Sequence, residues 1–113
     1  MIDQIRPSQL QQWIAAAPAD TRPVVLDVRE PHELQVANVS NAGFNLLTIP
    51  MSVLGARLQE LDPEQPIACL CHHGGRSMQV AMYLSQNGFA SVANIAGGID
   101  AWSVELDPSI ARY

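Results

Sequence analysis

The sequence predicts an α/β domain in which helices cover both faces of a parallel sheet. Short apolar runs rich in β-branched residues alternate with segments whose apolar residues recur at helical spacing. Runs that are apolar at every position are typical of strands buried on both faces. The chain has 113 residues, 48% of them hydrophobic and 15% charged, so it can bury a core of its own. We therefore expect residues 1–113 to form a single domain.

The first half of the chain predicts three strands separated by two helices. The strands are 2–5, 24–28 and 45–49, and the helices are 8–17 and 31–37. Ser8 is the expected N-cap of the first helix, since a Ser hydroxyl accepts a backbone N–H there. Pro31 fits the first turn of the second helix, where a missing N–H costs nothing. Pro18 ends the first helix.

The second half continues the alternation and adds one polar loop. Its elements are a helix over 52–61 with Ser52 as N-cap, a strand over 67–70, a loop over 71–75, a helix over 76–87, a strand over 92–95 and a short helix near Trp102. Gly88 is the expected C-terminal stop of the helix over 76–87. In parallel sheets ligands bind beyond the carboxyl ends of strands, which directs attention to the loop that starts at Cys71.

The charge of the chain excludes several functions. The formal net charge is -5, all six basic residues are Arg, and there is no Lys. An acidic chain without a basic run is unsuited to nucleic acid or to anionic membranes, and lysine chemistry is excluded. We find no signal-peptide pattern and no apolar run long enough to span a membrane. We therefore expect a cytoplasmic protein, and we expect it to be complete because the chain starts at Met1.

The two cysteines stand two positions apart, with Cys69 inside a predicted strand and Cys71 just after it. Two cysteines cannot form the disulfide framework of a small secreted protein, so we expect both to be reduced. Cys69 lies in an apolar run and is expected to be a buried spectator. Cys71 is the candidate nucleophile, although a free cysteine at a strand end can also be purely structural.

The loop after Cys71 has the composition of an anion cradle. Gly74 and Gly75 permit positive φ angles, so that successive backbone N–H groups can turn toward one side chain. The following helix points its free N–H groups at the same place, and Arg76 adds a full charge. These features favour a thiolate, a persulfide or an anionic substrate. His72 and His73 are expected to contribute mainly through their backbone.

Two other site types were weighed for this loop. Zinc would need four ligands from the five consecutive residues 69–73, which cannot readily surround one tetrahedral ion, so we expect no metal. We also expect no organic cofactor. Cysteine phosphatases also place a thiolate in a loop closed by Arg. Their pattern has one more residue between Cys and Arg than the four found here, and the smaller ring suits sulfur better than phosphate.

At this point the sequence resembles the rhodanese family of sulfurtransferases. The resemblance rests on four stretches in the family's order, which are 26–30 with Glu33, Ile49-Pro50, 71–77 and Gly97-Gly98-Ile99-Asp100-Ala101-Trp102. It covers roughly residues 5–105 and matches a single-domain member rather than the tandem form. The family implies a five-stranded parallel sheet flanked by helices.

The resemblance also implies a chemistry, which is transfer of sulfane sulfur through a persulfide on Cys71. The donor is expected to be a small molecule such as thiosulfate or a persulfide, and the acceptor cyanide, a thiol or a partner protein. Arg76 and the two histidines favour an anionic donor. The residues expected to hold the donor or the persulfide are His72, His73, Gly74, Gly75, Arg76 and Ser77.

Two further features concern the flanks of the loop. Asp27 and Arg29 match the family's Asp-x-Arg at a strand end, where they either brace the loop or form an ordinary ion pair. Where the family commonly has Gly-His-Ile-Pro-Gly-Ala, this chain has residues 37–42 with Asn38 in place of His and Ser40 in place of Pro.

The alternative functions kept open are a non-catalytic binding module of the same fold and a small phosphatase or arsenate reductase.

Overall fold

The computed structural model describes residues 2–40 and 43–113. One sheet of five parallel strands has the order β1-β5-β4-β2-β3. The strands are β1 (Asp3–Ile5), β2 (Val24–Asp27), β3 (Asn45–Thr48), β4 (Ile67–Leu70) and β5 (Val92–Ile95). Each predicted strand is found within one residue of its expected bounds, and the predicted parallel sheet is confirmed.

The described residues also form four α-helices and three 3₁₀ segments, which lie between the strands except for the last helix, which follows β5. The helices are α1 (Leu10–Ala16), α2 (Pro31–Leu34), α3 (Gly75–Gln86) and α4 (Gly98–Glu105). The 3₁₀ segments are Pro7–Gln9, Met51–Val53 and Gly55–Glu60. Gly88 follows α3 with a φ of 89°, as expected for a helix stop. None of the helices in the described ranges is long and apolar enough to cross a lipid bilayer.

Two predicted N-caps are wrong. Ser8 lies within the first 3₁₀ segment, where its N–H donates to the Glu105 carboxylate, and the Gln9 side chain accepts the Arg6 N–H at 2.8 Å. Ser52 caps no α-helix, because residues 52–61 form 3₁₀ turns, and its hydroxyl donates to Glu30. Gly55 weakens an α-helix in this stretch by roughly 0.5–1 kcal/mol, and prolines bound it on both sides.

The second predicted helix is shorter than expected, since α2 ends at Leu34 and not at Ala37. The amide side chain of Asn38 donates to the Leu34 carbonyl, where a continuing helix would place a backbone N–H. Asn38 stands where the rhodanese family commonly has His, so this hydrogen bond gives it a local structural role. Residues 41 and 42 of the same stretch lie outside the described part of the chain.

Buried apolar side chains cover both faces of the sheet. One face packs against α3 and the 3₁₀ segments between residues 51 and 60, through Val80, Leu84 and Leu54 among others. The other face packs against α1 and α4, through Leu10 and Trp102. This two-sided burial is the reason that β2, β4 and β5 are buried at every position, as the apolar runs of the sequence predict.

The order of the strands places a crevice at the centre of the sheet. The chain leaves β2 toward β3 on one side, and it leaves β4 toward β5 on the other side. The connections after β2 and β4 therefore diverge, and ligand sites of open parallel sheets form at such points. Both predicted functional segments start here, with Asp27 ending β2 and Cys71 following β4.

Candidate active site

The Cys71 side chain lies at the bottom of the loop between β4 and α3. It is 1% exposed, and its Sγ accepts the Gly74 N–H at 3.1 Å. The Cys71 thiol in turn donates to the Ser77 hydroxyl oxygen at 3.2 Å. A backbone donor and a side-chain hydroxyl from the first turn of α3 thus meet at one sulfur atom. The structure brings together Cys71, Gly74 and Ser77, three of the residues that the sequence identifies.

The two glycines of the loop differ in conformation. Gly74 has a φ of 104°, and a Cβ at this position would lie 3.1 Å from the Gly97 nitrogen. Gly75 is the first residue of α3, has no positive φ, and would have no atom within 4 Å of an added Cβ. Of the two glycines that permit positive φ, only Gly74 adopts it, because the helix has already begun at Gly75.

The carbonyl groups of the loop are held by the start of α4. The Ile99 N–H donates to the Cys71 carbonyl at 2.8 Å, and the Asp100 N–H donates to the His72 carbonyl at 3.1 Å. A Cβ at Gly98 would approach these two carbonyl oxygens to 2.4 and 2.5 Å. The Gly97-Gly98 pair therefore permits α4 to dock directly on the loop.

A buried polar chain continues from Ser77 into the sheet. The Ser77 hydroxyl donates to the Asn94 side-chain oxygen at 2.5 Å. The Asn94 amide donates to the Gly74 carbonyl at 3.2 Å and to the Gln4 side chain at 3.0 Å. Asn94 is 3% exposed and lies in β5, next to β4, so it holds the end of the loop that joins α3.

Arg76 forms an ion pair with Glu33. The two terminal nitrogens of its guanidinium donate to the two carboxylate oxygens of Glu33 at 2.6 and 2.7 Å. These hydrogen bonds lower the pKa of Glu33 to about 2, against the opposing effect of burial, and they raise the pKa of Arg76. Arg76 also interacts electrostatically with Cys71. Its charge is near the sulfur, but a carboxylate already holds it.

The histidine side chains form an aromatic stack with Tyr113. The His72 ring lies between the His73 ring and the Tyr113 ring, with both centroid distances at 3.8 Å. Burial and the neighbouring His73 lower the pKa of His72. The Tyr113 hydroxyl donates to Glu33 at 2.8 Å and accepts from Arg29 at 3.1 Å. Tyr113 thereby links the loop to the residues that follow β2.

Asp27 and Arg29 form a buried ion pair beside the site. Arg29 is 0% exposed and donates to both carboxylate oxygens of Asp27, at 2.8 to 3.1 Å. It also contacts the Glu33 carbonyl and the Tyr113 hydroxyl. The pair reaches the Cys71 loop through Tyr113 and Glu33.

One group of side chains has ligand atoms close enough for a metal ion. Within the described ranges, the ligand atoms of His72, His73 and Asp100 lie within 4.8 Å of one another. Arg112 donates to both oxygens of Asp100, at 2.9 and 3.2 Å. The two imidazole rings are stacked, with an angle of 26° between their planes. The geometry suits a stacked surface better than a shared tetrahedral ion.

Cys69 is 0% exposed and lies inside β4, opposite Leu26 on one side and Asn94 on the other. Burial raises the pKa of its thiol to about 12, with a smaller contribution from the neighbouring Cys71. Both cysteines are free. The neutral thiol of Cys69 packs in the apolar core, as a buried spectator does.

Three residues of the site were missed by the sequence reasoning. Asn94 carries a signal, because a polar residue within an apolar strand must find a buried partner. Glu33 stands in a motif of the family resemblance, but its pairing with Arg76 depends on the packing of α2 beside α3. Tyr113 has no local signal, since only the tertiary fold brings it to His72.

Comparisons with known proteins identify the family of the chain. Residues 7–105 match the family description "Rhodanese-like domain". The chain is 33% identical over 112 residues to a protein named "Sulfurtransferase" from Allochromatium vinosum, covering 98% of this chain and 97% of that protein. A crystal structure of a rhodanese-related protein from Thermoplasma volcanium has a TM-score of 0.76 and 32% identity, covering 98% of this chain and 99% of that one.

A longer relative shows the same domain within a larger protein. The chain is 44% identical over 93 residues to the "Rhodanese-like/PpiC domain-containing protein 12, chloroplastic" of Arabidopsis thaliana. The match covers 79% of this chain and 30% of that protein, so the chain spans less than a third of its length. With the family description matched over most of its residues and the fold shared from end to end, the chain belongs to the rhodanese-like domain family.

Proposed function

We propose that this protein is a sulfurtransferase that carries sulfane sulfur as a persulfide on Cys71. Family membership and the sulfurtransferase relative support sulfur transfer in general. The observation that carries the proposal is the Gly74 N–H, which donates to the Cys71 sulfur at 3.1 Å from the loop before α3. A backbone N–H that donates to sulfur stabilises its anionic form.

The reaction has two balanced steps. The Cys71 thiolate attacks the outer sulfur of thiosulfate, the S–S bond of the donor breaks, and sulfite leaves with the bonding electron pair. Cys71 then bears a persulfide. A thiophilic acceptor such as cyanide or a thiolate attacks the outer sulfur of that persulfide, and Cys71 leaves as the thiolate. An organic persulfide donates in the same way, with its own thiolate as the leaving group.

The Arg76 geometry favours sulfur transfer over phosphoryl transfer. A phosphatase needs its loop arginine to hold the oxygens of the transferring phosphate. Both terminal nitrogens of Arg76 instead donate to Glu33. A persulfide adds one sulfur atom and needs no such clamp. The intact Cys71 with its hydrogen bonds likewise supports catalysis over a purely non-catalytic binding role.

The acceptor and the compartment are part of the proposal. We propose a thiol, of a small molecule or a partner protein, as the physiological acceptor, with cyanide as a laboratory substitute. We propose the cytoplasm as the compartment, because the chemistry needs Cys71 as a free thiolate, and both cysteines are free. Asp27 and Arg29 are proposed to support the loop through their contacts with Tyr113 and Glu33.

Mass spectrometry of the protein after incubation with sulfur donors tests the proposal. We expect wild-type protein, incubated separately with thiosulfate and with an organic persulfide, to gain the mass of one sulfur atom on Cys71 with at least one donor. Cyanide should remove this sulfur and yield thiocyanate. Cys71→Ser should gain none, whereas Cys69→Ser should keep turnover within about twofold of wild type. Absence of the added sulfur with both donors, or equal addition to Cys71→Ser, would contradict the proposal.

A further inference from the structure

We propose that Glu33 determines donor specificity, because it neutralises Arg76 and so makes the site prefer organic persulfides to thiosulfate. This inference rests on the proposed persulfide on Cys71. It concerns the charge at the mouth of the loop, where the donor must approach the sulfur.

The Glu33 carboxylate is held in place on several sides. It accepts two hydrogen bonds from Arg76, one from the Tyr113 hydroxyl at 2.8 Å and one from the Glu30 N–H at 3.1 Å. Its side chain is 9% exposed, whereas that of Arg76 is 36% exposed. An incoming anion would have to compete with this fixed, paired carboxylate for the guanidinium.

Because the chain has no lysine, only arginine and histidine side chains can supply positive charge. Within residues 2–40 and 43–113, five of the six arginines are in ion pairs with carboxylates. The sixth, Arg22, lies just before β2, at the end of the sheet where the strands begin. Cys71 lies at the opposite end, where the strands finish. Burial and His73 disfavour the charged form of His72, and the exposed His73 lies beside Asp100. No arginine near the sulfur is therefore left unpaired to attract a dianion.

Thiosulfate and organic persulfides differ in the negative charge that they bring to this site. Thiosulfate brings two negative charges and releases sulfite, which is also a dianion, to a protein of net charge -5. An organic persulfide R–S–SH with an uncharged R group brings its sulfur without a sulfonate. The Cys71 thiolate attacks its outer sulfur and R–S⁻ leaves. Repulsion by Glu33 and by the whole chain therefore penalises thiosulfate more than this donor.

The test compares two donors on matched variants. The rate constant for sulfur loading of Cys71 is measured in single turnovers by mass spectrometry, with thiosulfate and with 2-hydroxyethyl persulfide. In Glu33→Gln, which keeps the size and a hydrogen-bonding oxygen, we expect the thiosulfate-to-persulfide rate ratio to rise about tenfold or more. Glu60→Gln removes the same charge from the exposed Arg57 pair and should leave the ratio unchanged.

A double variant separates specificity from a structural effect. If Glu33 acts through Arg76, the variant Glu33→Gln with Arg76→Gln should lose the gain and return the ratio to the wild-type value or below. A structural role alone would change loading by both donors and leave the ratio where it was. An unchanged ratio in Glu33→Gln, or an equal rise in Glu60→Gln, would overturn the inference.

Wild-type protein provides a measurement that needs no variant to fold. With Arg76 neutralised, thiosulfate meets net repulsion, so its loading rate should rise as ionic strength screens the charges. Loading by the uncharged-R persulfide should change little. A thiosulfate rate that falls with salt would show an available cation and overturn the inference. Failure of both donors to load Cys71 would instead contradict the proposed function, which keeps the two failures distinct.

Discussion

The interior of β4 and the loop that follows it hold the same chemical group in two different settings. Cys69 and Cys71 are two residues apart, face the same side of the sheet and are 0% and 1% exposed. Cys69 is surrounded by apolar side chains, and burial raises the pKa of its thiol to about 12. Cys71 has the Gly74 N–H and the Ser77 hydroxyl at its sulfur. Solvent exposure thus does not distinguish the two thiols, whereas their polar neighbours do.

The difference shows what the end of a strand contributes. Within β4 the backbone N–H and carbonyl groups are used in the sheet, so they cannot serve a side chain. Beyond Leu70 the chain turns, and the Gly74 N–H becomes available to the sulfur, while α4 holds the carbonyls of Cys71 and His72. The proposed nucleophile therefore owes its polar neighbours to the change from strand to loop, which Cys69 precedes by two positions.

The largest expected difference between the two thiols is in alkylation. At pH 8 a thiol with a pKa of about 12 is ionised to about one part in ten thousand, so native Cys69 should be almost unreactive. We expect iodoacetamide to label Cys71 at least about 100-fold faster, as measured by peptide mapping against time. In denaturant both cysteines should be labelled alike. Comparable labelling of the two in native protein would show that the polar neighbours of Cys71 do not decide reactivity.

Alanine substitutions at Gly74 and Gly75 test which backbone conformation the Cys71 loop needs. Gly74→Ala should cost about 1–3 kcal/mol in the free energy of unfolding, because φ is 104° and the Gly97 nitrogen is 3.1 Å away. Gly75→Ala should be neutral or stabilise by up to about 1 kcal/mol, since this residue is helical and has open space. Urea unfolding measures both, and equal effects would mean that the loop does not need its left-handed residue.

The acid stability of the protein tests how firmly Arg76 is held beside Cys71. Glu33 has a pKa of about 2 in the folded chain and an ordinary value of 4.5. The stability from its pairing is therefore complete above pH 4.5 and is lost as the pH falls toward 2. After a discount for the partly exposed Arg76, we expect about 2 kcal/mol.

Urea unfolding between pH 5 and pH 2.5 measures this loss. Glu33→Gln has no carboxyl group to titrate at this position, so its stability should fall less steeply with acid than that of wild type. Glu60→Gln serves as the matched control and should follow the wild-type curve. If Glu33→Gln declined as steeply as wild type, the pair would not hold Arg76 in the way that the structure indicates.

The strands were predictable because their physical cause is local. A parallel strand buried on both faces must be apolar at successive positions. The segments 24–27, 67–70 and 92–95 have that pattern, and Asp27 and Asn94 are their polar exceptions. The segment 52–61 was less predictable, since its apolar spacing fits an α-helix but the chain forms 3₁₀ turns. Ser8 and Ser52 are good caps by type, yet both donate to carboxylates elsewhere in the fold.

The site was predictable in its centre and less so at its edges. Cys71, Gly74 and Ser77 lie in one short loop, so residue types and spacing suffice to identify them. The partner of Arg76 comes from another connection, and Tyr113 reaches His72 from 41 positions further along the chain. Such contacts depend on strand order and on helix packing, which local patterns do not contain. From the sequence alone, Arg76 therefore counts as a free positive charge at the site, because its ion pair with Glu33 is not predicted.

The docking of α4 on the loop has a consequence for the order of folding during synthesis. The Cys71 and His72 carbonyls receive their donors only from Ile99 and Asp100. At roughly 5–20 residues per second, a ribosome adds the intervening residues in about one to several seconds. During that interval the nascent chain has β4 but lacks the amides that complete the loop. The Cys71 loop should therefore reach its folded conformation only after residues 97–100 have been added and α4 has docked.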